Sequence, residues 1–404
     1  MMSYDKRLNI PLTLLTITVF FGHLLPVVNY YQLLVVILMC TILVTFKEAK
    51  VSINNNIIWL LCVLILCISL LLSSDASSTL RFLLMFLSIL FIKIIYESQF
   101  RWQDFLIKMF FYCSFIHVFF TILQYLLPSI VTTINSIVLS ATDYGSNLTL
   151  FGGGNYAGIT GQTGINAFYI SIFIAIVFSK LLTESNKKLL LILGLILAII
   201  ALFLTAKRSQ LVVNGIAMFI VFILMSRNKQ GFKLKNAYIP VFVILLGYIV
   251  LNYVPAASHL VEKFNLLSDA DDITNGRTDL WELSINIFKE HPIFGVGAGT
   301  ILSHIGEMAH NIYIQLLAET GIVGFSCFTL AFLTSLVNSV IIINKARSSS
   351  ENLKLSLSVG LYLQIYFLLY GLSGNPLYSP IYLLPYMIMI TIVNSVYKEI
   401  KSKV

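Results

Sequence analysis

Apolar runs long enough to cross a bilayer follow one another almost without pause, and no other feature of this chain limits its fold so tightly. Segments near the spanning length of about 20 residues fall at 9–26, 30–46, 57–73, 80–96, 105–127, 160–182, 189–205, 210–226, 238–254, 322–343, 355–372 and 381–397. The chain is 58% hydrophobic and only 11% charged, where a soluble domain carries about 25% charged residues. In hydrocarbon every backbone N–H and C=O needs an internal partner, so spans of this kind form helices. The expected architecture is an all-α polytopic membrane protein with about 12 transmembrane helices, all in one domain covering 1–404. Lys93, Lys108 and His117 fall inside two of the runs and leave their boundaries soft. Lys6 and Arg7 precede the first run with no small-residue cleavage site after it, so no removable leader is expected.

An even number of spans puts both termini on one side. If that side is the cytoplasm, twenty of the 26 Lys and Arg lie inside or at the inner face. The other six (Arg81, Lys207, Arg208, Lys263, Arg277 and Lys289) lie outside, which is the bias of the positive-inside rule. The net charge of +8 is then a matter of topology, and no nucleic-acid partner is expected. The five cysteines (Cys40, Cys62, Cys67, Cys113, Cys327) sit in apolar runs without ligand spacing, which argues against a disulfide framework and a metal site.

The links on the outer side carry the remaining information. Segment 128–159 is glycine-rich with Asp143 its one acid; it reads either as a re-entrant piece over a cavity or as an exposed loop without a role. Segment 255–309 is the one large external loop. Its acidic start, with Asp269, Asp271 and Asp272, lacks the glycine and distal glutamate of a calcium loop and reads as a solvated turn. SGNPLYSP, 373–380, reads as a tight polar turn.

Charge, glycine and histidine gather between Gly276 and Gly324. Thr278 to Lys289 reads as an amphipathic helix, with Leu280, Trp281, Ser284, Ile285 and Phe288 on one stripe and Asp279, Glu282 and Lys289 off it. His291-Pro292 ends it, since a residue before proline is pushed out of the helical region. Gly295, Gly297 and Gly299 suit a backbone that bends sharply or approaches a ligand closely. His310-Asn311 then opens a second helix, with Glu319 about 180° around it from His310.

That order of parts resembles the O-antigen polymerase/ligase superfamily of membrane glycosyltransferases. The matching residues are Arg277, Trp281, the Pro292-Ile293-Phe294-Gly295-Val296-Gly297 run, His310-Asn311, Glu319, Gly321 and Gly324. GQTGINAFYIS, 161–171, and the Thr205-Ala206-Lys207-Arg208-Ser209 turn resemble it less specifically. The resemblance implies a GT-C-type enzyme that moves an oligosaccharide from a polyprenyl-pyrophosphate carrier at the outer face of the cytoplasmic membrane. Donor and acceptor would both be lipid-linked, with a chain-length regulator and a flippase as possible partners among the membrane lipids.

Such a transfer needs fixed cations beside a pyrophosphate whose charge grows as the sugar–phosphate bond breaks. Arginine suits the task because its planar fork grips phosphate oxygens in pairs. Arg208 and Arg277 are the first candidates, with Lys207 and Arg81 behind them. His310 can accept the acceptor hydroxyl's proton near neutral pH; Glu319, Asp279 and Glu282 are the other possible bases. Trp281, Gly295, Gly297, Asn311 and Glu319 are candidate substrate-binding residues. His117, His259, His291 and His304 read as structural. The first outer link, 27–29, is Val-Val-Asn and carries no acidic pair, so a reaction without metal or cofactor is expected. Polymerisation of repeat units is the main reading. A ligase that passes a finished glycan to a lipid core or protein is the nearest alternative, and a transporter or flippase of lipid-linked sugars the next; the latter would show paired charges at midmembrane depth and inverted repeats.

Overall fold

The computed structural model describes residues 6–24, 30–45, 56–99, 101–184, 188–228, 231–232, 276–346 and 349–401. The helices are α1 (Asn9–Phe21), α2 (Tyr30–Thr45), α3 (Ile57–Leu72), α4 (Ala76–Glu97), α5 (Gln103–Leu126), α6 (Pro128–Val138), α7 (Ala141–Gly152) and α8 (Thr163–Thr183). There follow α9 (Lys188–Leu204), α10 (Arg208–Ser226), α11 (Arg277–Glu290), α12 (Ile301–Ile305), α13 (Ile312–Lys345), α14 (Glu351–Tyr370) and α15 (Pro380–Lys401). Among the described residues eight helical stretches are long and apolar enough to cross a membrane, and α2, α3, α6 and α9 are shorter apolar helices. The protein is an all-α, multi-pass membrane protein. The span expected at 238–254, the acidic run with Asp269, Asp271 and Asp272, His259, Lys263 and the link 27–29 lie outside the described residues. A two-residue ladder pairs Arg227 with Phe232 and Asn228 with Gly231.

α8 and α15 sit at the centre, with 83% of each spanning window buried by other helices. They are apolar on every face, as a helix enclosed by others must be. Outer helices turn leucine and isoleucine outward, among them Leu43, Leu71 and Leu189. Aromatic rings knit the interior, with Tyr386 stacked on Phe367 at 4.0 Å and edge-on to Phe332 at 5.9 Å.

Lys93, which softened one boundary in the sequence, lies fully buried in the last turn of α4. Its ammonium is 3.1 Å from Glu97 and also bonds Asn56, whose amide reaches the same carboxylate at 3.2 Å. Lys398 of α15 donates to the Glu97 carbonyl at 3.0 Å. The paired charges thus lie within α4 near the end that holds the termini, where Lys398 ties α15 to the same turn.

Segment 128–159 is more than a bare loop, because it folds into α6 and α7. Pro128 opens α6 at a position where a missing N–H costs nothing. Ser140 caps α7 by accepting from the Asp143 N–H. Buried amides hold the pair in place: Asn135 and Asn147 both donate to the Gly158 carbonyl, and Gln124 accepts from the Gly158 N–H at 2.8 Å. These are long-range contacts, so the local sequence gives no sign of them. SGNPLYSP is likewise more than a polar surface turn, since Pro376 and Leu377 are buried in it.

Candidate functional site

The site stands at the end of the bundle away from the termini, and its scaffold is a break in α13. Gly321 (φ 62°, ψ −170°) interrupts the helix after Thr320. A break inside a membrane protein is tolerated only where protein supplies the lost hydrogen bonds. Here 292–297 supplies them. Ile322 and Val323 donate to the Pro292 and Ile293 carbonyls at 2.9 and 3.3 Å, and Val296 and Gly297 donate to the Ala318 and Glu319 carbonyls at 3.3 and 2.9 Å.

At Gly295 and Gly297 that arrangement favours the first of the two expected uses, a sharply bending backbone, over close approach to a ligand. A Cβ on Gly321 would lie 2.2 Å from the Ile293 carbonyl oxygen, and one on Gly295 2.3 Å from the Glu319 carbonyl carbon. A Cβ on Gly297 would lie 2.3 Å from Ser73 Oγ. The space beside each is filled by this chain's own atoms.

Glu319 is fully buried beneath the same turn. Its carboxylate accepts from the Gly299 N–H at 2.7 Å, the Ile301 N–H at 3.0 Å and the Gln315 amide at 2.9 Å. It ties the glycine turn and the start of α12 to α13. Ser69, in the last turn of α3, and Ser74, in the α3–α4 link, clasp the turn, Ser69 accepting from the Ala298 N–H at 2.8 Å and the Ser74 N–H donating to the Val296 carbonyl at 3.2 Å.

α11 forms as expected, one residue longer at each end, and buries Ser284 against α13 while Ile285 stays exposed. The Trp281 indole N–H donates to the Ala309 carbonyl at 2.9 Å. That bond fixes the residue immediately before His310. Asn311 caps α13, its Oδ1 accepting from the Tyr313 and Ile314 N–H groups at 3.0 and 3.2 Å. His310 is thus held from both sides, with its backbone in the left-handed region at φ 51°. Left-handed backbone costs a side-chain-bearing residue about 1–2 kcal/mol, and such outliers gather at functional sites. Ala206, just before Lys207, shares this geometry at φ 54°.

Four candidates from three separate segments come together here. The Arg277 charge acts on both Arg208 and His310, and the Lys207 charge also acts on His310. Arg208 and Arg277 are the first residues of α10 and α11. A cation there opposes the helix dipole by about 0.3–1 kcal/mol at exposed sites. The arrangement therefore concentrates positive potential from side chains and helix ends alike. Although His310 reaches solvent, the protein packed around its ring, and next the Arg277 charge, hold its pKa below the ordinary imidazole value of 6.5. Glu307 opposes that shift.

The remaining candidates fall elsewhere. Arg81 is exposed in the leading turns of α4, next to Phe82, whose Cβ faces Gly299, and no contact described for it joins it to the four. Asp279 and Glu282 are exposed on α11 and His291 is exposed beyond its end. His304 shares a 2.8 Å hydrogen bond with Ser74, and buried His117 one of 3.2 Å with the Phe20 carbonyl.

Residues 193–329 match a family model described as O-antigen ligase. The match covers about a third of the chain and supports its resemblance to the O-antigen polymerase/ligase superfamily. The matched region runs from α9 past the break in α13, so it holds Lys207, Arg208, Arg277, His310 and Glu319 together. No curated protein matches the chain. Around this superfamily domain the structure adds residues that the sequence did not single out. Gln210, Tyr366, Tyr370 and Tyr382 lie below the cations, and Ser69 and Ser74 brace the glycine turn. Only Gln210, two residues after Arg208, had a sequence signal, namely a polar residue on the first turn of an apolar span.

Proposed function

We propose that the protein polymerises polyprenyl-pyrophosphate-linked repeat units into a surface polysaccharide at the outer face of the cytoplasmic membrane. The observation that carries this reading is the meeting of Lys207, Arg208, Arg277 and His310 beside the braced turn. Gathering like charges costs free energy that a polyanion offsets, and a pyrophosphate is the anion such a superfamily domain would meet. Arg208 and Arg277 hold the donor pyrophosphate, with Lys207 adding charge. His310 takes the proton of the acceptor hydroxyl as its oxygen bonds to the anomeric carbon. The bond from that carbon to the phosphate oxygen breaks, and polyprenyl pyrophosphate leaves with the electron pair. A single displacement inverts the anomeric centre. Trp281, Asn311 and Glu319 act through the backbone they hold, as positioning residues.

The description of the matched model favours a second reading, a ligase that hands a finished glycan to another acceptor. One experiment separates the two. Purified protein in lipid vesicles is given the lipid-linked repeat unit alone, then with a lipid-core acceptor, each with and without a chelator. A ladder of products from the repeat unit alone, unchanged by chelator and abolished by His310→Ala, supports polymerisation without a metal. Product only with the second acceptor would make the protein a ligase. Movement of the lipid-linked sugar across the vesicle with no new glycosidic bond would overturn both.

A further inference from the structure

Gly164 stands in the first turn of α8, below the cations, and its packing gives no reason for a glycine. A Cβ there meets only ordinary van der Waals contacts: Lys207 Cε at 3.8 Å, Gln210 Nε2 at 3.9 Å and Tyr382 Oη at 4.0 Å. Three residues earlier the case is different, since a Cβ on Gly161 would lie 2.3 Å from Asp143 Oδ1. Alanine is the better helix former and would fit at 164 without moving a neighbour. What glycine still offers is close approach of another molecule to the backbone. Gly164 is only half-buried, so that approach is open.

The atoms around it are tips of polar side chains fixed from below. Gln210 donates to the Gly164 carbonyl at 2.9 Å and accepts from the Tyr366 hydroxyl at 2.6 Å. The rings of Phe168, Tyr382, Tyr370 and Tyr366 form a closed cluster, with successive centroids 4.5, 5.5 and 5.9 Å apart and Phe168 5.7 Å from Tyr366. Tyr370 also lies within reach of the Arg277 charge. The floor beneath Gly164 thus combines an amide and phenol hydroxyls with aromatic rings, Gln210 and Tyr382 buried in it and Tyr370 half-buried beside them. A pyranose presents the matching pair, hydroxyls at its rim and a C–H face.

We infer that Gly164, Gln210, Tyr370 and Tyr382 form the subsite for the sugar ring linked directly to the donor pyrophosphate, with Gly164 leaving its place open. This rests on the reading that Arg208 and Arg277 hold the pyrophosphate, and the two can fail separately. The test compares binding of two probes to the full chain in lipid nanodiscs: polyprenyl pyrophosphate without sugar, and the same carrier bearing the repeat unit. Gly164→Leu should weaken the sugar-bearing lipid about ten-fold or more and leave the bare carrier unchanged, the scale of one lost polar contact. Gly164→Ala, which fits the fold, should act in the same direction but less, and Tyr382→Phe should affect only the sugar-bearing probe. Wild-type affinity for both probes in Gly164→Ala and Tyr382→Phe would overturn the subsite alone. If the bare carrier fails to bind the wild type, or binds Arg277→Ala equally well, the pyrophosphate reading falls and the subsite with it.

Discussion

At the scale of single residues, His310 and Arg208 make the proposal most exposed to test. A general base must be neutral to work, and kcat/KM reports its pKa in the free enzyme. The packing around His310 and the Arg277 charge favour the neutral ring. Activity should therefore fall on the acid side with a midpoint below 6.5, and Arg277→Gln should move the midpoint upward while lowering the rate. A midpoint at or above the ordinary value, or one that ignores Arg277, would remove His310 as the base. Arg208 opens α10 next to Lys207, so its charge alone is partly duplicated. If it grips the pyrophosphate with both prongs, Arg208→Lys should cut transfer nearly as far as Arg208→Ala. Near-normal product from both variants at equal protein levels would leave Arg208 as an anchor to lipid headgroups.

At the scale of elements, the break in α13 and the 292–297 segment are one unit, and the sequence showed its parts without their relation. The apolar spacing marked α11 and the later half of α13, and Asn311 at a helix head carried its own signal as a cap. The glycines were ambiguous for a physical reason. A left-handed backbone pressed against a ligand and one pressed against another strand of its own chain need the same residue. Glu319 was ambiguous likewise, since a carboxylate that serves substrate and one that accepts from Gly299 and Ile301 look alike in sequence. Alanine at Gly321 or Gly295 would adopt a positive φ and push a methyl into backbone at 2.2–2.3 Å. Each should lower stability by about 2 kcal/mol or more, strain and overpacking together, seen as early thermal unfolding in detergent. Variants as stable as the wild type but inactive would return these glycines to the substrate.

At the scale of the whole molecule, everything proposed depends on which side of the membrane the broken helix faces. The helix ends at 24, 72, 126, 204 and 370 and the helix starts at 76, 163, 208 and 380 lie on the site side, while Lys93, Lys398 and Arg101 mark the other. Eleven of the twelve expected spans are helices, and the twelfth, 238–254, lies in the chain between Asn228 and Arg277. By the positive-inside rule, the excess of Lys and Arg is expected to put the end holding the termini in the cytoplasm, and labelling tests that orientation. Three cations at the site, Lys207, Arg208 and Arg277, run against this bias, as a site that meets a polyanionic carrier requires. Ser303, exposed on α12 at the site end, and Ser350, exposed before α14 at the opposite end, report the two sides. In a cysteine-free background of intact cells, Ser303→Cys should react with a membrane-impermeant maleimide, and Ser350→Cys only after the membrane is opened. The reverse labelling would put the cationic group in the cytoplasm, where a carrier already moved to the outer face cannot reach it.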